Sequence, residues 1–210
     1  MEWSQVLTFT FVAALLVMSP GPNGVLVAKT VPTSGRAAGF ANVAGFVTSF
    51  YLHGVLSILG ISVILLQSAQ AFFVVKMLGA AYLIWVGIRA LYDAFRGIKQ
   101  APDIAPARRK RTLRLAYWEG FLTNALNPKV SMFYLAAFPQ FIPAGEGAVA
   151  AAFFLVFIHS ALNAIWFGSM VKLLGRLTNA ARSVTFQKWL KAITGTAFIG
   201  FGIKLATFRP

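Results

Sequence analysis

The sequence predicts an all-α membrane protein of six transmembrane helices, built as two inverted three-helix repeats with helices 1 and 4 broken at proline motifs. Three observations lead there. The 210 residues are 58% hydrophobic and only 11% charged, whereas a soluble domain carries about a quarter charged residues. Basic residues alternate between rich and poor connections along the chain. Proline breaks occur at like places in the two halves.

Six apolar segments fill most of the sequence, at roughly 5–28, 38–66, 71–95, 117–142, 148–173 and 189–208. Each has about 20 residues or more, enough to cross a hydrocarbon core of about 30 Å. Turn residues such as Pro32-Thr33-Ser34-Gly35-Arg36 and Pro143-Ala144-Gly145-Glu146-Gly147 separate them. The amino-terminal stretch Met1-Glu2-Trp3-Ser4-Gln5 has no basic lead and no small-residue cleavage motif follows, so the first segment is expected to stay as a span.

The formal net charge of +14 comes from 19 Lys and Arg against 5 Asp and Glu. Such a balance also suits nucleic-acid binding, but here the cations sit in loops. The stretch before the first span has only Glu2, and the next connection has Lys29 and Arg36. Gln67-Ser68-Ala69-Gln70 has no cation, whereas Arg96, Lys99, Arg108, Arg109, Lys110, Arg111 and Arg114 follow span three. Glu146 alone marks the connection between spans four and five, and Arg176, Arg182 and Lys188 lie between spans five and six; only Arg209 at the carboxyl end dissents. The positive-inside rule then places both termini outside and the basic loops in the cytoplasm. The whole chain, 1–210, is expected to form one integral membrane domain. A first repeat over 1–96 joins a second over 115–210 through a basic cytoplasmic linker, 97–114, whose charge suits anionic lipid.

The halves resemble each other. Lys76–Arg89 aligns without gaps on Lys191–Lys204, matching Lys76 with Lys191, Ile84 with Ile199, Gly87 with Gly202 and Ile88 with Ile203. Pro20 and Pro128 hold like places in the first spans, and His53 and His159 in the second. Three spans per half is an odd number, so the second half enters from the opposite side. Inverted repeats with broken helices meeting near the midplane are characteristic of secondary transporters.

The first break, Ser19-Pro20-Gly21-Pro22-Asn23, cannot continue a regular helix, because each proline removes a donor and crowds the preceding turn. At membrane depth such backbone is tolerated only inside protein or beside a cavity. Pro22 suits the first turn of a new half-helix, whose free amides attract a carboxylate. Asn127 before Pro128 offers the same device, with a half-helix from Lys129. A lysine mid-span costs several kcal/mol and marks a paired site or a wet path. The expected substrate-binding set is therefore Pro20, Gly21, Pro22, Asn23, Asn124, Asn127, Pro128 and Lys129. Asn42 and Asn163 could add amide contacts to a zwitterion. His53 and His159, the only histidines, are candidates for proton coupling. Asp93 and Glu119 read as helix-end charges. With no cysteine and no carboxylate near either histidine, neither a metal nor a cofactor is expected. The many glycines of spans two, three and six, such as Gly45, Gly60, Gly87, Gly195, Gly200 and Gly202, read as helix-packing positions.

At these residues a family resemblance emerges. Ser19-Pro20-Gly21-Pro22-Asn23, Gly45-x3-Ser49-x3-His53, Leu78-Gly79-Ala80-Ala81-Tyr82-Leu83, Gly120-Phe121-Leu122-Thr123-Asn124-Ala125-Leu126-Asn127-Pro128-Lys129 and Pro139-Gln140-Phe141 together resemble the LysE/RhtB amino-acid exporters. The resemblance runs over nearly the whole chain. It implies a multi-pass exporter in the bacterial plasma (inner) membrane that moves homoserine, threonine or related neutral or basic amino acids, driven by the proton-motive force. It also implies that Pro20, Gly21, Pro22, Asn127, Pro128 and Lys129 are signature positions. Glu119 departs from the pattern, in which a basic or polar residue often precedes the Gly-Phe. The partners expected are thus an amino acid, protons and the lipid bilayer, not nucleic acid; a homo-oligomer is compatible with the sequence. Two other classes compete: a metal or ion permease on the same scaffold, disfavoured by the shortage of intramembrane carboxylates, and an intramembrane enzyme acting on lipid phosphates, for which no Arg, Glu and His cluster is assembled.

Overall fold

The structure, a computed structural model, describes residues 1–210 apart from 68, 97–108, 144, 183 and 208–210. Most of the expected linker and Arg209 lie outside the described residues. Every regular element described is helical: α1 (Trp3–Met18), α2 (Pro22–Gln67), α3 (Ala69–Phe95), α4 (Leu113–Ala125), the short α5 (Pro128–Met132), α6 (Ala148–Arg182) and α7 (Val184–Thr207). A π-helical turn (Phe133–Ala137) and a 3-10 turn (Phe138–Phe141) continue α5.

Among the described residues three stretches are long and apolar enough to cross a membrane: Pro22–Gly60, Lys76–Phe95 and Ala148–Leu173. The first and fourth expected spans are not continuous helices. α1 stops at Met18, ahead of Pro20 and Pro22, and the 117–142 stretch is divided at Asn127-Pro128 into α4 and a short, irregular continuation. The sixth coincides with α7, which carries Lys188, Lys191 and Lys204.

α2 bends at Gly35, whose φ of 84° is left-handed backbone that glycine adopts without a Cβ clash. The bend separates a first arm, 22–34, from a second, 36–67. The described end of the linker docks beside it. The Arg111 amide donates to Ser34 Oγ (2.8 Å), while Arg111 Nε donates to Glu119 Oε1 (2.6 Å). Thr112 then caps α4, its hydroxyl accepting from the Leu115 amide. Glu119 is thus one half of an ion pair with the linker, and Asp93 pairs with Lys191 at 3.3 Å.

Helix packing is set by backbone-to-backbone contacts. α2 packs most extensively on α4, and α3 on α7. At the first interface, Gly45 lies against the backbone of Tyr117 and Phe121, and Gly120 against that of Asn42; any Cβ would collide with main chain. At the second, a Cβ on Gly87 would lie 2.6 Å from the Gly195 carbonyl, and one on Gly195 would lie 2.7 Å from that of Gly87. Gly60 and Gly200 have nothing within 4 Å of a Cβ position, so the packing role expected of them does not apply. Two apolar clusters fill the interior. One is aromatic, holding Phe9, Phe50, Phe133, Tyr134, Phe138, Phe141 and Phe198. The other joins Val17, Val27, Phe46, Phe167 and Val171.

Candidate functional site

Both breaks are built from their local sequence. Past Met18 the chain turns extended at Ser19 (ψ 134°), and Pro22 opens α2 as its first residue. In the second break Asn127 adopts extended backbone (φ −74°, ψ 111°), and Pro128 takes the first helical position, where its missing donor costs nothing. The Asn127 side chain caps the new helix by accepting from the Lys129 amide (3.1 Å).

Lys129 connects the two breaks. Its Nζ donates to the carbonyls of Leu16 (2.9 Å) and Ser19 (3.1 Å), two main-chain acceptors at the end of α1. A helix carboxyl end leaves carbonyls unpaired and carries partial negative charge, so an ammonium belongs there. Gly21 makes room for it: a Cβ at that position would lie 3.3 Å from Nζ.

A chain of amides forms a second connection. Asn23 Nδ2 donates to Asn124 Oδ1 (2.8 Å), and Asn124 Nδ2 donates to Ser49 Oγ (2.5 Å) and to the Phe46 carbonyl (3.2 Å). His53 Nε2 lies 3.4 Å from the Asn124 carbonyl oxygen and donates to it in the tautomer protonated there. Asn124 is therefore the hub, fully buried, where the start of α2, its second arm and α4 meet. Asn23 Oδ1 is buried without a hydrogen-bond partner.

Of the eight residues expected at a binding site, Gly21, Asn23, Asn124, Asn127 and Lys129 take part in these contacts, whereas Pro20, Pro22 and Pro128 are exposed and shape the backbone; His53 joins through Asn124. His159 does not. It is fully buried on α6, ringed by Phe9, Phe50, Phe133 and Tyr134. Neither of its ring nitrogens has a partner. Asn42 Nδ2 donates to the Ala116 carbonyl (2.6 Å), tying α2 to α4, while Asn163 is buried with its Oδ1 unpaired.

Sequence reasoning missed Tyr134. Its ring lies parallel to that of His159 (5.7 Å between centroids) and stacks on that of His53 (5.4 Å). Ser57 Oγ donates to its main-chain carbonyl (2.7 Å). Nothing in the sequence separates this tyrosine from its apolar neighbours. Among the described residues no three His, Asp or Glu side chains come together as a metal site would need.

Residues 14–208 match the family described as LysE type translocator. The chain belongs to that family. The uncharacterized membrane protein YrhP of Bacillus subtilis (strain 168) is 32% identical over 95% of this chain and 97% of its own length. The leucine efflux protein of Klebsiella pneumoniae is 29% identical, covering 97% of this chain and 95% of its own. The threonine efflux protein of Escherichia coli (strain K12) is 26% identical, covering 97% and 98%. No solved structure matches. This LysE translocator is accordingly a multi-pass protein of the bacterial plasma (inner) membrane and belongs to a family of transporters.

Proposed function

We propose that the protein exports amino acids, of the threonine or leucine kind, by proton antiport, and that the substrate binds between the two helix breaks. The observation that carries this reading is the bridge from Lys129 to the end of α1. An ammonium has three donors, and two are engaged by Leu16 and Ser19. The third, with the Asn23 and Gly24 amides in the first turn after Pro22, is available to a substrate carboxylate; the amides after Pro128 are taken up by Asn127. Asn23 Oδ1 is left to accept from a polar group of the substrate, and Asn124 and Asn127 hold the surrounding backbone. One or both of His53 and His159 exchange protons as the site alternates between the two sides of the membrane. The relatives named for leucine and threonine efflux support neutral substrates.

The domain is organised, on this reading, as two inverted repeats, 1–96 and 115–210, with both termini outside. The α3–α7 contact supports it. Gly87 packs on Gly195 and Ile199, while Gly202 packs on Ala80 and Ile84. The alignment that pairs Lys76 with Lys191 exchanges these two sets residue for residue, as a pseudo-two-fold axis between repeats would.

Reconstituted vesicles test the reading. Loaded with labelled L-threonine or L-leucine, wild-type vesicles lose label faster with an inward proton gradient, and the Lys129→Ala, His53→Ala double variant does not. Wild-type-like efflux from that variant would remove the site assignment. Cysteines at Gly145 and Arg109, in a chain that has none, test orientation: Arg109→Cys labelling from outside would reverse it.

A further inference from the structure

His159 sits at 0% exposure where four elements converge: Phe9 from α1, Phe50 from the second arm of α2, Phe133 and Tyr134 from the π-helical turn, and α6 itself. The Phe50 centroid is 4.2 Å from that of the imidazole, and Phe9 and Phe133 stand edge-on at 6.2 and 5.6 Å. Three buried polar atoms of this stacked pair have no hydrogen-bond partner: both nitrogens of His159 and the hydroxyl of Tyr134. Buried polar atoms without partners are uncommon and call for an explanation. His53 differs, because it rests on the Asn124 carbonyl. The two histidines hold like places in sequence but are chemically unlike.

A box of aromatic faces with one lone-pair nitrogen and one hydroxyl suits a cation that can donate hydrogen bonds. Two such cations belong to the function proposed above: a proton, and the ammonium of an amino acid. Neutral His159 can accept from the ammonium; protonated His159 has no lone pair and adds a like charge. We propose that His159 and Tyr134 form the site at which the substrate's ammonium and the driving proton exclude each other.

The inference rests on the reading that the substrate is an amino acid, and it supplies that reading with a coupling rule. Antiport requires that one site not hold both partners at once. When the ammonium arrives, the imidazolium gives its proton to water and its nitrogen accepts from the substrate. When the substrate leaves, a proton returns. Tyr134 can move to admit either, because it lies on a π-helical turn, a widened and strained form of helix common at functional sites. The other titratable groups acting on this pair are His53 and Tyr51 from α2 and Lys129 from α5. Lys129 lies one turn before Phe133 and would take the carboxylate of the same substrate.

Calorimetry on the purified full chain in detergent, with L-threonine as the probe, tests the exclusion. Below the titration of His159, the affinity should fall about tenfold per pH unit, with one proton released per threonine in buffers of different ionisation enthalpy. His159→Gln keeps an acceptor but cannot titrate, so threonine should bind with no pH slope. His53→Gln should bind more weakly with the slope intact. The deaminated analogue 2,3-dihydroxybutyrate should release no proton from the wild type, a check that stands even if His159→Gln fails to fold. Threonine binding by the wild type without proton release near neutral pH, proton release unchanged in His159→Gln, or equal release with the analogue overturns the inference. Failure of the wild type to bind threonine or leucine at all would instead overturn the substrate reading beneath it.

Discussion

The Nζ of Lys129 donates to the carbonyl of Leu16 at 2.9 Å, joining the second helix break to the end of the helix before the first. A part-buried cation is thereby compensated without a carboxylate. Among the described residues, the ion pairs Arg111–Glu119 and Lys191–Asp93 involve other groups. Carbonyl dipoles hold the ammonium less firmly than a buried anion would, so a substrate carboxylate can compete for it.

Lys129→Ala should therefore cost both transport and stability. Losing two hydrogen bonds from a charged donor costs about 3 kcal/mol or more, read as a lowered melting temperature in detergent. Efflux should fall at least about tenfold, equivalent to ~1.4 kcal/mol in affinity or barrier. Lys129→Arg should restore more stability than transport, because the larger guanidinium fork must crowd Gly21.

Gly21→Ala isolates that crowding. The new methyl would sit 3.3 Å from Nζ, displacing the ammonium by a few tenths of an ångström. The expected outcome is a several-fold loss of efflux with a melting temperature close to wild type. Unaltered efflux would mean that the position of Nζ does not matter to transport.

Asn124 should matter more than Asn23. Asn124→Ala strands the Asn23 amide and removes the bonds to Ser49 and Phe46. Hydrogen bonds between membrane helices average about 0.6 kcal/mol each, and a buried group left unpaired adds about 1 kcal/mol or more. A loss of about 3 kcal/mol is expected, against roughly half that for Asn23→Ala. Thermal unfolding of the two variants ranks them, and the reverse order would contradict the hub role of Asn124.

Gly45→Leu and Gly60→Ala form a contrasting pair. At Gly45 any side chain meets the main chain of α4, so the two helices must part and the protein should be lost from the membrane fraction. Gly60 faces open space, and its alanine variant should stay within about 0.5 kcal/mol of wild type.

These comparisons show what the sequence could carry. The breaks were legible because Pro20, Pro22 and Pro128 cannot sit inside a helix whatever surrounds them. Lys129 was legible because charge is scarce in apolar segments, although its carbonyl partners were not, since main-chain acceptors leave no trace in composition. The packing glycines could be sorted only in three dimensions: Gly45 and Gly60 look alike in sequence, yet one meets backbone and the other nothing. Tyr134 escaped for a related reason. It is one aromatic among many, and only the stacking on His53 and His159 sets it apart.

The central claim is that both helix breaks form one transport site centred on Lys129. Counterflow in proteoliposomes tests it most directly, with unlabelled L-threonine or L-leucine inside and labelled amino acid outside, since exchange needs a working site but no proton gradient. The account predicts rapid accumulation of label with wild-type protein and none above empty vesicles with Lys129→Ala. Wild-type-like accumulation in Lys129→Ala, with the protein correctly folded and inserted, would contradict it.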